Sequence, residues 1–441
     1  MSFSFICSCL GVVGGDRVVQ RQWRRSAPGI PPIKSAGDVP AGTAACAWTR
    51  SPLSRHQSLE DGGTMCSLIH RSRLVATPLL IVLATWGCRE RGVVPRQVAA
   101  PVPRAAVSLQ IDYAGAEAMV AALERDTITD AAVDSLLNIH GVSMMVDNVV
   151  RLVPGVERAD FGTALQRFLG TGDVAQEHLH FNLPKAHGER ERIRTLLAHL
   201  RENEQAVLDR MLAIMGPYTP ETGPLHLKAY LMAGGTSTGF VRTTPEGDVF
   251  YYNLADAAGD WEGVMAHITH ETFHLVQKAA FRHVPSLAAM ADSAESLPLP
   301  ERTLATVVGE GTADLVSDPA RFGGGGPEIA RMRARFRTDA EPARVRANFA
   351  LFDTTFQQVA RNEITWREVL DRGFMSNPRF YALGFQMAKA VERHCGPERI
   401  RRLLQQRPVE FFLQYISLYR EHPEIVGHFA PETERYLMSL R

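Results

Sequence analysis

The sequence predicts an α+β chain that is predominantly α-helical, with one small β-sheet placed just before its most unusual helix. Three observations carry this. Apolar stripes at helical spacing flank the middle of the chain, and short β-branched and aromatic runs punctuated by glycine lie between 225 and 255. Directly after them, His267 to Gln277 reads H-I-T-H-E-T-F-H-L-V-Q, three histidines and a glutamate on an apolar segment.

Residues 1–64 carry several Arg, scattered Gly and Pro and no apolar period, and read as disordered or not genuinely translated. Residues 65–88 read as a signal peptide. Arg71 and Arg73 precede an apolar run from Leu74 to Trp86, too short to span a membrane as a mature helix, so Met65 is the expected start. The run ends T-W-G-C, similar to a bacterial lipoprotein cleavage box with Cys88 as the lipidated residue. Trp86 is bulky for that box, so ordinary secretion is the alternative; either way the chain is expected to be exported. After such a cut only Cys88 and Cys395 of the six cysteines remain, leaving no disulfide framework, and Cys395 reads as a core residue. Residues 89–110, with Pro95, Pro101 and Pro103, read as a tether.

The domain expected over 111–441 divides into a helical part (111–224), a middle part with sheet and metal-site helices (225–318) and a helical C-terminal part (319–441). In the first, Ile193, Leu196, Leu197, Leu200, Val207, Leu208, Met211 and Met215 form a helical stripe. In the second, LHLKAYLMAGG, TSTGFVRTT and DVFYYNLA read as strands broken at Gly234-Gly235 and Pro245 to Asp248. In the third, four glycines, Gly323 to Gly326, read as a mobile loop or a plain connector. Helices follow over Ala343 to Arg361, Phe380 to His394 and, in two pieces, Pro397 to Glu421. Lys plus Arg equals Asp plus Glu at 48 each, so nothing attracts the chain to nucleic acid.

From Trp261 to Phe281 apolar residues occupy most of the helix circumference, which marks a buried helix. His270 and His274 are four apart and share a face, so both imidazoles can reach one point; Glu271 points beside it, where a carboxylate works on water instead of ligating metal. Burying these groups without partners is costly, and a cation removes most of that cost. His267 lies on the same side, but three consecutive ligands from one straight helix are hard to arrange tetrahedrally, so it is expected to support the ligands from behind or to pack. Downstream, Thr303 to Pro319 is apolar except for Glu310, Asp314 and a few Thr and Ser. Glu310, flanked by Gly309 and Gly311, is the expected third ligand, and Asp314, one turn on, the carboxylate that fixes a ligand ring.

H-E-T-F-H followed by G-E-G-T-A-D resembles the gluzincin class of zinc metallopeptidases, of which thermolysin is the best known, and more narrowly a bacterial group of zinc-dependent peptidases. The resemblance covers about Leu225 to Asp318. It departs from thermolysin in the length between motifs and in the flanking segments. It implies a zincin-like domain with a small sheet before the motif helix, Zn2+ as cofactor, a peptide or protein substrate, and an edge strand that pairs with extended substrate. It further implies a Tyr or His outside the motif that hydrogen-bonds the developing oxyanion: Tyr381 is the expected residue, His394 and His283 the alternatives. The rival function is a non-catalytic exported lipoprotein in which the metal site is a structural brace or binding module; structural zinc sites, however, are usually closed and Cys-rich. N-terminal sequencing of the exported protein tests the start: it is expected to begin at or after Cys88, and a mature chain beginning upstream of Met65 would refute this reading.

Overall fold

A computed structural model describes residues 107–441, apart from 221–222, 246, 257–258, 283, 285–286, 289–296 and 376–377. The extension over 1–64, the signal segment with Cys88 and His283 therefore lie outside the described residues. So does most of the tether, but its last four residues are not tether. Val107–Asp112 is strand β1, whose alternation Val-Ser-Leu-Gln-Ile-Asp buries Leu109 and Ile111 while Ser108 and Gln110 face out. The upstream prolines hid a period that only six residues carry.

Between β1 and the next strand come α1 (Ala114–Leu123), α2 (Asp130–Leu137), α3 (His140–Leu152), α4 (Asp160–Thr171) and the long α5 (Leu183–Met215). The stripe expected from Ile193 to Met215 is the buried face of α5. The sheet is completed by β2 (Leu225–Met232), β3 (Gly239–Thr244) and β4 (Gly247–Asn253), in the order β1-β2-β4-β3. β1 and β4 both run parallel to β2, and β3 returns antiparallel to β4 as an edge. Gly234 and Gly235, at φ 133° and 82°, end β2 in a backbone that other residues rarely adopt.

Helices cover both faces of the sheet, which is why β4 is buried almost throughout. On one face Tyr251 stacks on Tyr230 and Phe240 and meets His140 of α3 at 2.7 Å. On the other lies α6 (Trp261–Arg282), with Tyr252 stacked on His267. The side chains of Lys278 and Asp248, both largely covered, pair at 2.7 Å and tie the end of α6 to the start of β4. Thr243 accepts a second Lys278 hydrogen bond at 2.6 Å, and Arg282 also reaches Asp248. Such a pair contributes little against an apolar substitute, but removing one partner strands a buried charge.

The C-terminal helices are α7 (Leu299–Val316), α8 (Pro327–Asp339), α9 (Pro342–Ala360), α10 (Trp366–Leu370), α11 (Arg379–Cys395), α12 (Pro397–Leu403), α13 (Pro408–Glu421) and α14 (Pro431–Ser439). Their core is aromatic: Phe352 contacts Phe356, Phe380, Phe412 and Phe429 at ring separations of 5.1–5.6 Å. The four-glycine segment between α7 and α8 is a tied connector. Gly323 N–H donates to Glu262 at 2.8 Å, and Arg333 donates to the Gly323 and Gly324 carbonyls. Asp260 accepts from Gly263 N–H and Ile329 N–H, so one carboxylate anchors the starts of both α6 and α8.

α7 and α11 cross in backbone contact. A Cβ on Gly311 would lie 2.1 Å from the Gly384 carbonyl carbon, and one on Gly384 would lie 2.3 Å from the Val307 oxygen. Two opposed effects therefore compete in Gly384→Ala: helix propensity gains about 1 kcal/mol, whereas overlap with backbone that no rotamer relieves costs about 1–3 kcal/mol or more. We expect the clash to win, lowering the thermal midpoint; a midpoint that rises would show the crossing to be looser than this.

Candidate metal centre

His270 and His274 project from adjacent turns of α6, and Glu310 from α7 opposite them; each is buried, with 1–3 % of its surface exposed. The His270 Nε2 to His274 Nε2 distance is 3.1 Å, and Glu310 Oε2 lies 3.4 Å from the first and 3.3 Å from the second. Donors held tetrahedrally at zinc's bond lengths of about 2.0–2.2 Å stand roughly 3.3–3.6 Å apart, so the triangle is close to one face of a zinc tetrahedron.

The tautomers agree with this. Gln277 donates from Nε2 to the Gly309 carbonyl at 2.9 Å and to the Thr312 hydroxyl at 2.8 Å. A carbonyl can only accept, so this orientation turns Gln277 Oε1 toward His274 Nδ1, 2.9 Å away, and the ring must donate there. That leaves His274 Nε2 as the ligand atom. His270 Nδ1 lies 3.4 Å from Asp314 Oδ1 and 3.3 Å from Ser317 Oγ, which turns its Nε2 to the same point. Arg335 approaches the same Asp314 oxygen at 3.6 Å. The sequence points to Asp314 but not to Gln277. Its signal was present three residues beyond His274, but a lone glutamine on a helix reads as ordinary polarity.

Two basic lone pairs 3.1 Å apart in an apolar core repel unless a cation lies between them. The charge balance shows the same demand. Burial would lower the His270 pKa, but hydrogen bonds to Asp314 and Glu310, with the charges of Asp314 and Glu271, hold it well above the ordinary value. Burial likewise opposes charge on His274, and Glu310 outweighs it to raise that pKa. Burial works to raise Glu310, while His274 and His270 hold its carboxyl below the usual range. A divalent ion satisfies the same field by displacing protons.

Glu271 is buried on the side of α6 that meets edge strand β3. A Cβ on Gly239 would lie 2.8 Å from Glu271 Oε1, so only glycine leaves that carboxylate its place. His267 does not join the cluster; its Nε2 meets Glu328 at 2.9 Å. Tyr381 is buried at the start of α11, edge-on to Phe374 at 5.7 Å and one turn before the Gly384 contact with α7. His394 packs on His422 instead, and Cys395, expected in the core, is exposed.

Residues 133–424, about two thirds of the chain, match the family described as "Putative zinc dependent peptidase (DUF5700)". The chain belongs to this family, so its cofactor is zinc and its substrate a peptide or protein. No curated protein and no solved structure matches it.

If Gln277 sets the His274 ring, Gln277→Leu should weaken zinc binding by about 10–100-fold, the usual loss on removing a ligand's hydrogen-bond partner. Competition with a chromophoric chelator measures this. An unchanged zinc affinity would remove Gln277 from the site.

Proposed function

We propose that the protein hydrolyses peptide bonds as a gluzincin-type zinc metallopeptidase, with His270, His274 and Glu310 as the zinc ligands and Glu271 as general base. The observation that carries the reading is the near-equilateral triangle of donor atoms beside the buried carboxylate of Glu271. When bound, zinc supplies a Lewis acid that polarises the scissile carbonyl and acidifies water. Glu271 takes the proton of the attacking water and hands it to the leaving amine. Asp314 and Gln277 hold the two imidazoles in the tautomers that leave Nε2 for the ion. Tyr381 is the proposed donor to the oxyanion, supported by the close crossing that brings its helix against the Glu310 helix.

β3 is the proposed substrate cradle. It is one of the two edges of the sheet, and Gly239 brings its backbone against Glu271, so a peptide added as a further strand would run past the base with its carbonyls in register. Export through residues 65–88, with lipidation at Cys88, remains part of the proposal and is decided by sequencing the mature chain.

The test separates base from ligands. Glu271→Gln keeps shape and cannot accept the proton, so cleavage of a mixed peptide library should fall by about 10²–10⁴-fold while zinc stays bound. Glu310→Gln and His274→Ala should lose zinc and activity together, with some loss of stability. Full cleavage by Glu271→Gln would end the catalytic reading and leave the metal as a brace.

A further inference from the structure

A second group of metal-ligating side chains lies on the C-terminal helices, where no assigned activity uses it. His394 is in the last turn of α11, and His422 closes α13, its N–H donating to the Leu418 carbonyl at 2.7 Å. The two rings approach to 3.9 Å between centroids, tilted by 34°. Glu424 Oε1 lies 3.5 Å from His422 Nδ1. One nitrogen from each ring and one Glu424 oxygen all fall within 4.8 Å of one another.

The plain alternative is a stacked surface pair with a carboxylate nearby. One feature favours an ion. Both histidines stand at helix C-termini, whose unsatisfied carbonyls favour a cation, so the backbone adds to what the three side chains offer. The neighbouring Cys395 thiol contacts Gln414 at 3.9 Å and is not among the clustered donors. Two imidazoles and one carboxylate suit zinc, nickel or copper and not the hard alkaline-earth ions.

We propose that His394, His422 and Glu424 form a second, surface site for a borderline divalent transition metal. Glu424, exposed after the end of α13, is the donor whose side chain must be fixed to close the site. Binding costs the ordering of that side chain, so the site is weaker than the buried triangle. Its effect is to clasp the end of α11 to the start of the 422–430 segment. That segment delivers Phe429 to the aromatic core, 5.0 Å from the Phe349 ring and 5.7 Å from that of Phe412. The proposal stands whether or not the peptidase reading does.

The experiment is a zinc titration of the chelator-stripped full chain, followed by calorimetry. Wild type is expected to bind two equivalents of distinct affinity. His422→Ala should keep the tighter and lose the weaker, and His274→Ala should do the reverse. Glu424→Gln, at an exposed position that leaves folding intact, should weaken the second equivalent by at least about tenfold, and it decides the matter if His422→Ala does not fold. Zinc binding that loses no equivalent in His422→Ala, or a weaker equivalent indifferent to Glu424→Gln, overturns the site.

Discussion

Five ionisable groups meet inside an apolar core: His270, His274, Glu271, Glu310 and Asp314 are all at least nine-tenths buried. An apolar interior penalises each of them severely unless charge and hydrogen bonds are balanced there. Much of the surrounding structure can be understood as meeting that condition. Gln277 and Asp314 fix the rings, Asp260 anchors the start of α6, Lys278 and Asp248 anchor its end, and His267 is satisfied by Glu328 outside the cluster. The metal is then the remaining member of an electrostatic set that the protein alone leaves one cation short.

The motif helix was legible in the sequence because its information is local. Spacing of four fixes a shared face in any helix, and an apolar circumference fixes burial. Glu310 was legible for a second reason, since glycines on either side of an acid in an apolar helix announce close approach; Gly311 does meet Gly384. The middle strands were legible from alternation and glycine breaks. What was missed is what depends on distance along the chain. β1 is a strand because β2 lies beside it, and nothing within 107–112 outweighs the prolines before it. The meeting of His394 with His422 depends on how α11 and α13 pack. The four-glycine segment looked loose because glycine lacks side-chain contacts, yet its backbone is held by Glu262 and Arg333.

Glycine serves the site in two opposite ways. Gly311 and Gly384 let two helix backbones touch, which carries Glu310 inward to the histidines. Gly239 leaves a strand backbone bare where Glu271 needs room. In both places a missing methyl group determines where a carboxylate can stand, so the precision of the centre resides partly in atoms that are not there.

The parallel pairing of β1 with β2 joins Val107 to Leu225, across more than a hundred intervening residues. Contacts between positions so far apart form late, because the entropy of closing the loop is lost before the strands gain anything from it. The five helices between them can condense first from local contacts, but the sheet is not complete until the chain returns. α6 packs on that sheet and positions both histidines. Its contacts there are with β2, β3 and β4, all within 225–253, so strands close in sequence position the histidines, and the return of the chain to β1 completes the sheet beside them.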